Sequence, residues 1–230
     1  MPTIPFARIA GLNIESTASG KLITIGATPT GGKTIGINSL ARFYLKSGVN
    51  VFLFTENSSP DFKFVPENKE NRGDLIIFPI VHCSLSVDFL FRAVTHHLNI
   101  LKGNSVILLD AFVDSVLDTR NTRYVLIEKV TKKNKTIEGT YYHLKRQIAE
   151  KLRNISTELN MPVIVTSQHR RDNFVDSGNQ VLLYNSDVYI TTERIQNTGS
   201  FNFNIIKSRY SECSSFLCEI DRNSLTFVTN

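Results

Sequence analysis

One stretch near the amino terminus restricts the fold more than any other feature of the chain. Residues 22–25, Leu-Ile-Thr-Ile, are a short apolar run of the kind that a parallel sheet buries on both faces. The run passes at once into Ala27-Thr28-Pro29-Thr30-Gly31-Gly32-Lys33-Thr34. Beyond it, Ile37, Leu40, Ala41 and Tyr44 recur at helical spacing until Gly48 supplies a stop. Strand, glycine turn, Lys-Thr and helix, in that order, make a P-loop, here with Ala27 where the pattern has its first glycine. Cradling a phosphate requires main-chain N–H groups that no side chain obstructs, hence Gly31 and Gly32. It also requires a lysine at the β- and γ-phosphates and a hydroxyl on Mg²⁺, here Lys33 and Thr34. The helix opens within the loop, so its positive end faces the anion. The segment is therefore expected to bind ATP with Mg²⁺ through Ala27, Thr28, Pro29, Thr30, Gly31, Gly32, Lys33 and Thr34.

The rest of the chain repeats this alternation. Strands are expected at 49–55, 75–81, 106–110 and 162–167. A helix after the second of these carries Leu90, Val94, Leu98 and Leu101. The clearest helix runs from about residue 140 to 159, on a stripe of Leu144, Ile148, Leu152, Ile155 and Leu159, and Asn160 with Met161-Pro162 ends it. After Ser186 the signal is strands only, at 187–193, 201–207, 216–220 and 224–228. Alternating strands and helices imply right-handed crossovers and an α/β fold whose central, mostly parallel sheet is flanked by helices. The β-only tail is expected to add antiparallel strands at one edge. The length, 230 residues, suits a single domain spanning 1–230.

Phosphoryl chemistry needs more than the loop. A magnesium-ordering carboxylate belongs at the end of a neighbouring strand, and Asp110 closes the run SVILLD. Glu56 ends VFLFTE at the carboxyl edge of the sheet, where ligands of parallel sheets bind, although spacing alone leaves it equally a surface acid.

The net charge of +5 is compatible with a polyanionic partner. Residues 120–135 hold Arg120, Arg123, Lys129, Lys132, Lys133 and Lys135 against the single acid Glu128, which reads as a solvated loop or as a nucleic-acid contact. The cysteines, Cys83, Cys213 and Cys218, are an odd number without a C-x-x-C pair, which favours a reducing compartment, a cytoplasm, over a disulfide framework or zinc site. The longest apolar stretch, Leu75 to Val81, falls far short of the ~18 residues of a membrane span. The adjacent His96 and His97 lack metal-ligand spacing and read as surface or half-buried residues.

At this point the chain resembles the ATPase domain of the DnaB-type replicative helicases, within the RecA-like family. GKLITIGATPTGGKT resembles the family's first strand and P-loop, and VFLFTENSS the strand whose final glutamate polarises the attacking water, here Glu56. SVILLDAFVDSV resembles the magnesium-aspartate strand at Asp110. MPVIVTSQHRRD is similar to the strand that ends in a polar sensor, Gln168, leading into the nucleic-acid loop. FNFNIIKSRY resembles the hairpin whose Lys-x-Arg pair, here Lys207 and Arg209, reaches the γ-phosphate of a neighbouring subunit.

The resemblance implies a homo-oligomeric, hexameric motor moving on single-stranded nucleic acid, DNA ahead of RNA, with Arg123, Lys132, Lys133, Arg170 and Arg171 as contacts. The family's amino-terminal collar and linker helix have no counterpart in these residues, so ring formation is an open expectation. Three other readings stay open: a genome-packaging or RNA-translocating ring, a RecA-like recombination accessory without unwinding, and a nucleotide-switched signalling protein.

Overall fold

The computed structural model describes residues 20–55, 73–80, 87–110, 135–168, 177–196, 198–209, 213, 215–221 and 226–228. In chain order its elements are β1 (Leu22–Ala27), α1 (Lys33–Lys46), β2 (Asn50–Thr55), β3 (Leu75–Pro79), α2 (Val87–Leu98) and β4 (Ser105–Asp110). There follow α3 (Lys135–Glu158), β5 (Val163–Gln168), α4 (Ser177–Asn185), β6 (Val188–Arg194), β7 (Ser200–Ser208), β8 (Ser215–Asp221) and β9 (Thr226–Val228). The strands form one sheet in the order β3-β2-β4-β5-β1-β6-β7-β8-β9. From β3 to β6 the pairing is parallel, and β6 to β9 pair antiparallel. This is the expected α/β sheet with its antiparallel extension.

The continuous apolar runs are the interior strands. All of β1, β2 and β4 is buried, because helices cover both faces. On one face Ile37, Leu40, Ala41 and Tyr44 of α1 pack against Ile23, Ile25, Val51 and Leu108, and Phe201, Phe203 and Phe227 of the extension complete that layer. On the other face Leu90 and Val94 of α2, Ile148, Leu152 and Ile155 of α3, and Val181 and Leu182 of α4 close over Phe52, Phe54, Ile107 and Val165. Edge strand β3 is only partly covered.

Some boundaries differ from the sequence reading. Helix α2 stops at Leu98, so Leu101 lies outside it: the N–H groups of Ile100 and Leu101 both donate to the His97 carbonyl at 2.9 Å, and Gly103 then turns with φ 97°. Helix α3 begins at Lys135, earlier than its apolar stripe. It ends as foreseen, with Asn160 left-handed at φ 50°. Strand β3 closes at Pro79, although the Ile80 N–H still donates to the Thr55 carbonyl of β2 at 2.7 Å, and Val81 lies outside the described residues. Helix α4 has no counterpart in the sequence reading, since its short run shows little amphipathic contrast.

Candidate nucleotide site

Strand β1 delivers the loop at the carboxyl edge of the sheet, and α1 carries it away. Gly32 caps α1 with φ 87°, and the Gly31 N–H donates to the Thr28 carbonyl at 2.9 Å, folding the loop back on itself. A Cβ on Gly31 would sit 2.8 Å from the Thr28 carbonyl oxygen and 2.9 Å from the Ala27 Cβ. On Gly32 it would meet Phe227 Cζ at 2.8 Å and Phe201 Cε1 at 3.0 Å. The antiparallel extension thus braces the loop from behind: the Phe227 N–H donates to Ser39 Oγ of α1 at 2.8 Å. From β6, Thr192 Oγ1 donates to the Gly31 carbonyl.

The Lys33 ammonium lies over the loop and donates to the carbonyls of Ala27 (3.4 Å) and Thr28 (3.2 Å). Burial holds its pKa below the ordinary lysine value, and the nearby Asp110 carboxylate opposes that shift. Thr34 Oγ1 donates to Asp110 Oδ2 at 3.1 Å, so the Lys-Thr pair and the strand-end acid do converge. The sequence did not mark the third member of this group. Thr166 Oγ1 of β5 donates to Asp110 Oδ1 at 2.7 Å in a buried contact. Strand β5 lies between β4 and β1, and the pairing of Leu109 with Val165 puts Thr166 level with Asp110.

Gln168, the exposed last residue of β5, pairs in register with Ala27 at the first residue of the loop. Thr55, at the end of β2, pairs with Asp110. Glu56 follows Thr55 but lies outside the described residues, as do Arg123, Lys132, Lys133, Arg170 and Arg171.

Lys207 and Arg209 stand at the opposite edge. Lys207 pairs with Tyr189, which pairs with Thr24, well before the carboxyl end of β1. The Arg209 N–H donates to the Asp187 carbonyl, and the Asp187 N–H in turn to that of Leu22, where β1 begins. From Leu22 to Thr28 the strand rises roughly 20 Å at ~3.3 Å per residue. Lys207 Nζ donates to the carbonyls of Leu183 (2.7 Å) and Tyr184 (2.9 Å) in the last turn of α4. Arg209 Nε lies 3.4 Å from Asp187 Oδ1.

Among the described residues no group of three or more His, Cys, Asp or Glu side chains converges as a metal site, and no helix is long and apolar enough to cross a membrane.

No protein-family model and no curated protein matches the sequence. Solved structures do match. One of them, an ATPase domain, superposes with a TM-score of 0.69 at 12% identity, over 92% of this chain and 85% of that one. The fold is RecA-like. A DnaB-like replicative helicase, whose structure concerns its interactions with primase, gives a TM-score of 0.65 at 14% identity, over 93% of this chain and 58% of that one. The RadB recombinase gives 0.60 at 16% identity, over 98% of this chain and 96% of its own. The RecA-like fold therefore extends across nearly the whole chain, antiparallel extension included.

Proposed function

We propose that this chain is a P-loop ATPase that works as a homo-oligomeric ring moving along single-stranded nucleic acid, as a replicative DNA helicase motor. The observation that carries the reading is the division of polar and charged groups between the two ends of one sheet. Lys33, Thr34, Asp110 and Gln168 gather at the carboxyl edge, while Lys207 and Arg209 stand at the amino edge. A nucleotide held at Lys33 therefore lies at the far end of the sheet from its own subunit's Lys207 and Arg209, which supports giving those two residues to a neighbouring subunit's nucleotide.

The residues suit Mg²⁺. A hydroxyl and a carboxylate already share a hydrogen bond at 3.1 Å, and hard cations take all-oxygen donors. Thr34 would hold the metal directly and Asp110 through water, and when bound it supplies charge neutralisation at the β- and γ-phosphate oxygens. The N–H groups of the first α1 turn have no intrahelical partner, so they receive phosphate oxygens. Lys33 exchanges its two loop carbonyls for the phosphates. Glu56 orients the attacking water, and Gln168 reports the γ-phosphate to the segment after β5. Lys207 and Arg209 of the neighbouring subunit meet the charge that develops in transfer. Arg123, Lys132, Lys133, Arg170 and Arg171 contact the strand.

Two measurements test this together: ATP turnover with and without single-stranded DNA and RNA, and the mass of the assembly. Stimulation by DNA in an oligomer supports the reading. A monomer indifferent to both polymers overturns it in favour of a nucleotide switch. Stimulation by RNA alone points to an RNA-translocating or packaging ring. The likeness to RadB over 96% of that chain favours one alternative, a recombination accessory, which would bind strand and ATP yet fail to separate a forked duplex.

A further inference from the structure

Asp187 sits at the turn between α4 and β6, with only 6% of its side chain exposed. Its Oδ2 accepts the Leu22 N–H at 3.0 Å. Its Oδ1 faces two guanidinium groups from different elements: Arg153 of α3 at 3.5 Å and Arg209, just past β7, at 3.4 Å. Both arginines remain partly in solvent, with side chains 35% and 44% exposed. The two compete for one oxygen, and neither has the ~2.7–2.9 Å separation of a tight charge-assisted bond.

This arrangement decides what Arg209 is free to do. A buried carboxylate that loses its only cation is an uncompensated charge, and breaking such a pair is strongly unfavourable. Without Arg153, Arg209 would be the one cation in contact with Asp187 among the described residues, with Lys207 acting on it only from farther away, and that pair would hold the guanidinium at home. With Arg153 on the same oxygen, Arg209 can swing away while Asp187 keeps both a counter-ion and the Leu22 N–H. The Arg209 main chain stays fixed by its N–H bond to the Asp187 carbonyl at 3.1 Å, so the side chain moves about a fixed root.

We propose that Arg153 is a positioning residue for Arg209: by taking over Asp187, it frees the Arg209 side chain to reach the nucleotide held by the neighbouring subunit. The inference rests on the role across the interface given to Arg209 above. Arg153 touches neither ATP nor metal, and it acts only through Asp187.

The test uses the full chain in its assembled form. Arg153→Met keeps the aliphatic stem and removes the charge. Turnover at saturating ATP should fall by about tenfold through misplacement of Arg209, with KM for ATP within about twofold of the parent because that subunit's own loop is untouched. Arg153→Lys should keep most of the rate. Adding Asp187→Asn to Arg153→Met should bring turnover back to within about threefold of the parent, since a neutral amide no longer traps Arg209 and still accepts the Leu22 N–H. A merely structural role predicts a double variant worse than either single one.

Mixing then locates the defect. Arg153→Met protein should regain activity in assemblies with Lys33→Ala protein and not in assemblies with Arg209→Ala protein. The control mixes Lys33→Ala with Arg209→Ala. Without recovery in that control, the role of Arg209 across the interface fails and this proposal falls with it. If the control recovers, the proposal alone is overturned by parental turnover of Arg153→Met, or by its recovery with Arg209→Ala. Should Arg153→Met not fold, Arg153→Gln carries the same readouts.

Discussion

Thr166 and Asp110, from adjacent strands, meet in a 2.7 Å hydrogen bond that fixes which way the carboxylate faces. With Oδ1 committed to Thr166, Oδ2 is turned to Thr34 at 3.1 Å. Thr166→Val keeps the shape and removes the donor. A buried acceptor stripped of its partner costs about 1–3 kcal/mol, and the loss of such an outer partner weakens metal affinity roughly 10–100-fold. The Mg²⁺ concentration for half-maximal turnover should therefore rise, the melting temperature should fall, and Thr166→Ser should restore both. A Val variant with parental Mg²⁺ dependence would remove Thr166 from the site.

Gly32 and Gly103, two of the glycines with positive φ, separate strain from obstruction. Gly32 has φ 87° with Phe227 2.8 Å from the position a Cβ would occupy, while Gly103 has φ 97° with nothing within 4 Å. Each alanine incurs backbone strain of about 1–3 kcal/mol. Only Gly32→Ala also drives the loop against Phe201 and Phe227. Equilibrium titration with a labelled ATP analogue should show affinity lost in Gly32→Ala and unchanged in Gly103→Ala, with both variants melting below the parent. Equal affinities would mean that the aromatic brace does not shape the loop.

Lys33 gives a pH signature with a definite sign. Burial lowers its folded-state pKa below 10.5, so between the folded value and 10.5 the unfolded chain binds the extra proton. The parent therefore gains stability relative to Lys33→Met as pH rises through that window, whatever hydrogen bonds the substitution removes. Urea unfolding of both proteins from pH 7 to 10.5 should show this difference moving in the parent's favour. A difference moving the other way would mean that Asp110 outweighs burial at Lys33.

How much of this was legible in the sequence depended on whether the signal lay within one element. The runs LITIGA, NVFLFT and SVILLD name their strands because full burial demands apolar residues throughout. Asp110 stands out as an acid ending such a run. Thr166 does not, because within PVIVTS a threonine is an ordinary strand residue, and its role comes only from the strand order that sets β5 between β4 and β1. Thr192 on Gly31, Phe227 behind Gly32 and Asp187 on Leu22 are likewise contacts between distant parts of the chain. Periodicity reports an element's own faces and says nothing of what another element brings to them. Helix α4 carries no legible signal for a local reason: among its described side chains Val181 and Leu182 are the buried ones, a pattern too short to establish a period.

Strand binding should carry the mark of counter-ion release. Arg170 and Arg171 follow Gln168, whose register with Ala27 brings the end of β5 to the phosphate edge. Each phosphate contact on a single strand contributes about 0.7 to the slope of log affinity against log salt. Replacing both arginines with glutamine should therefore flatten that slope by about 1.4, measured by fluorescence anisotropy of a labelled oligonucleotide. An unchanged slope and affinity would return this pair to the solvated surface.

Lys207 joins a structural duty to its proposed catalytic one, and the two can be separated from those of Arg209. Its ammonium donates to the Leu183 and Tyr184 carbonyls, which closes the last turn of α4 and sets a cation at the negative end of that helix. Burial lowers its pKa and Arg209 adds to that shift, while Asp187 opposes it. Lys207→Met should thus destabilise the fold by about 1 kcal/mol through the lost carbonyl bonds. Arg209→Ala should change stability by less than about 0.5 kcal/mol, because its side chain is 44% exposed and Asp187 keeps Arg153. If both residues meet the neighbour's nucleotide, both variants lose turnover, yet only Lys207→Met melts early. The test is to measure turnover at a temperature where the melting curves show both proteins fully folded. Parental turnover of Lys207→Met under those conditions would assign Lys207 to holding α4 alone and leave Arg209 as the sole catalytic cation contributed by the neighbour.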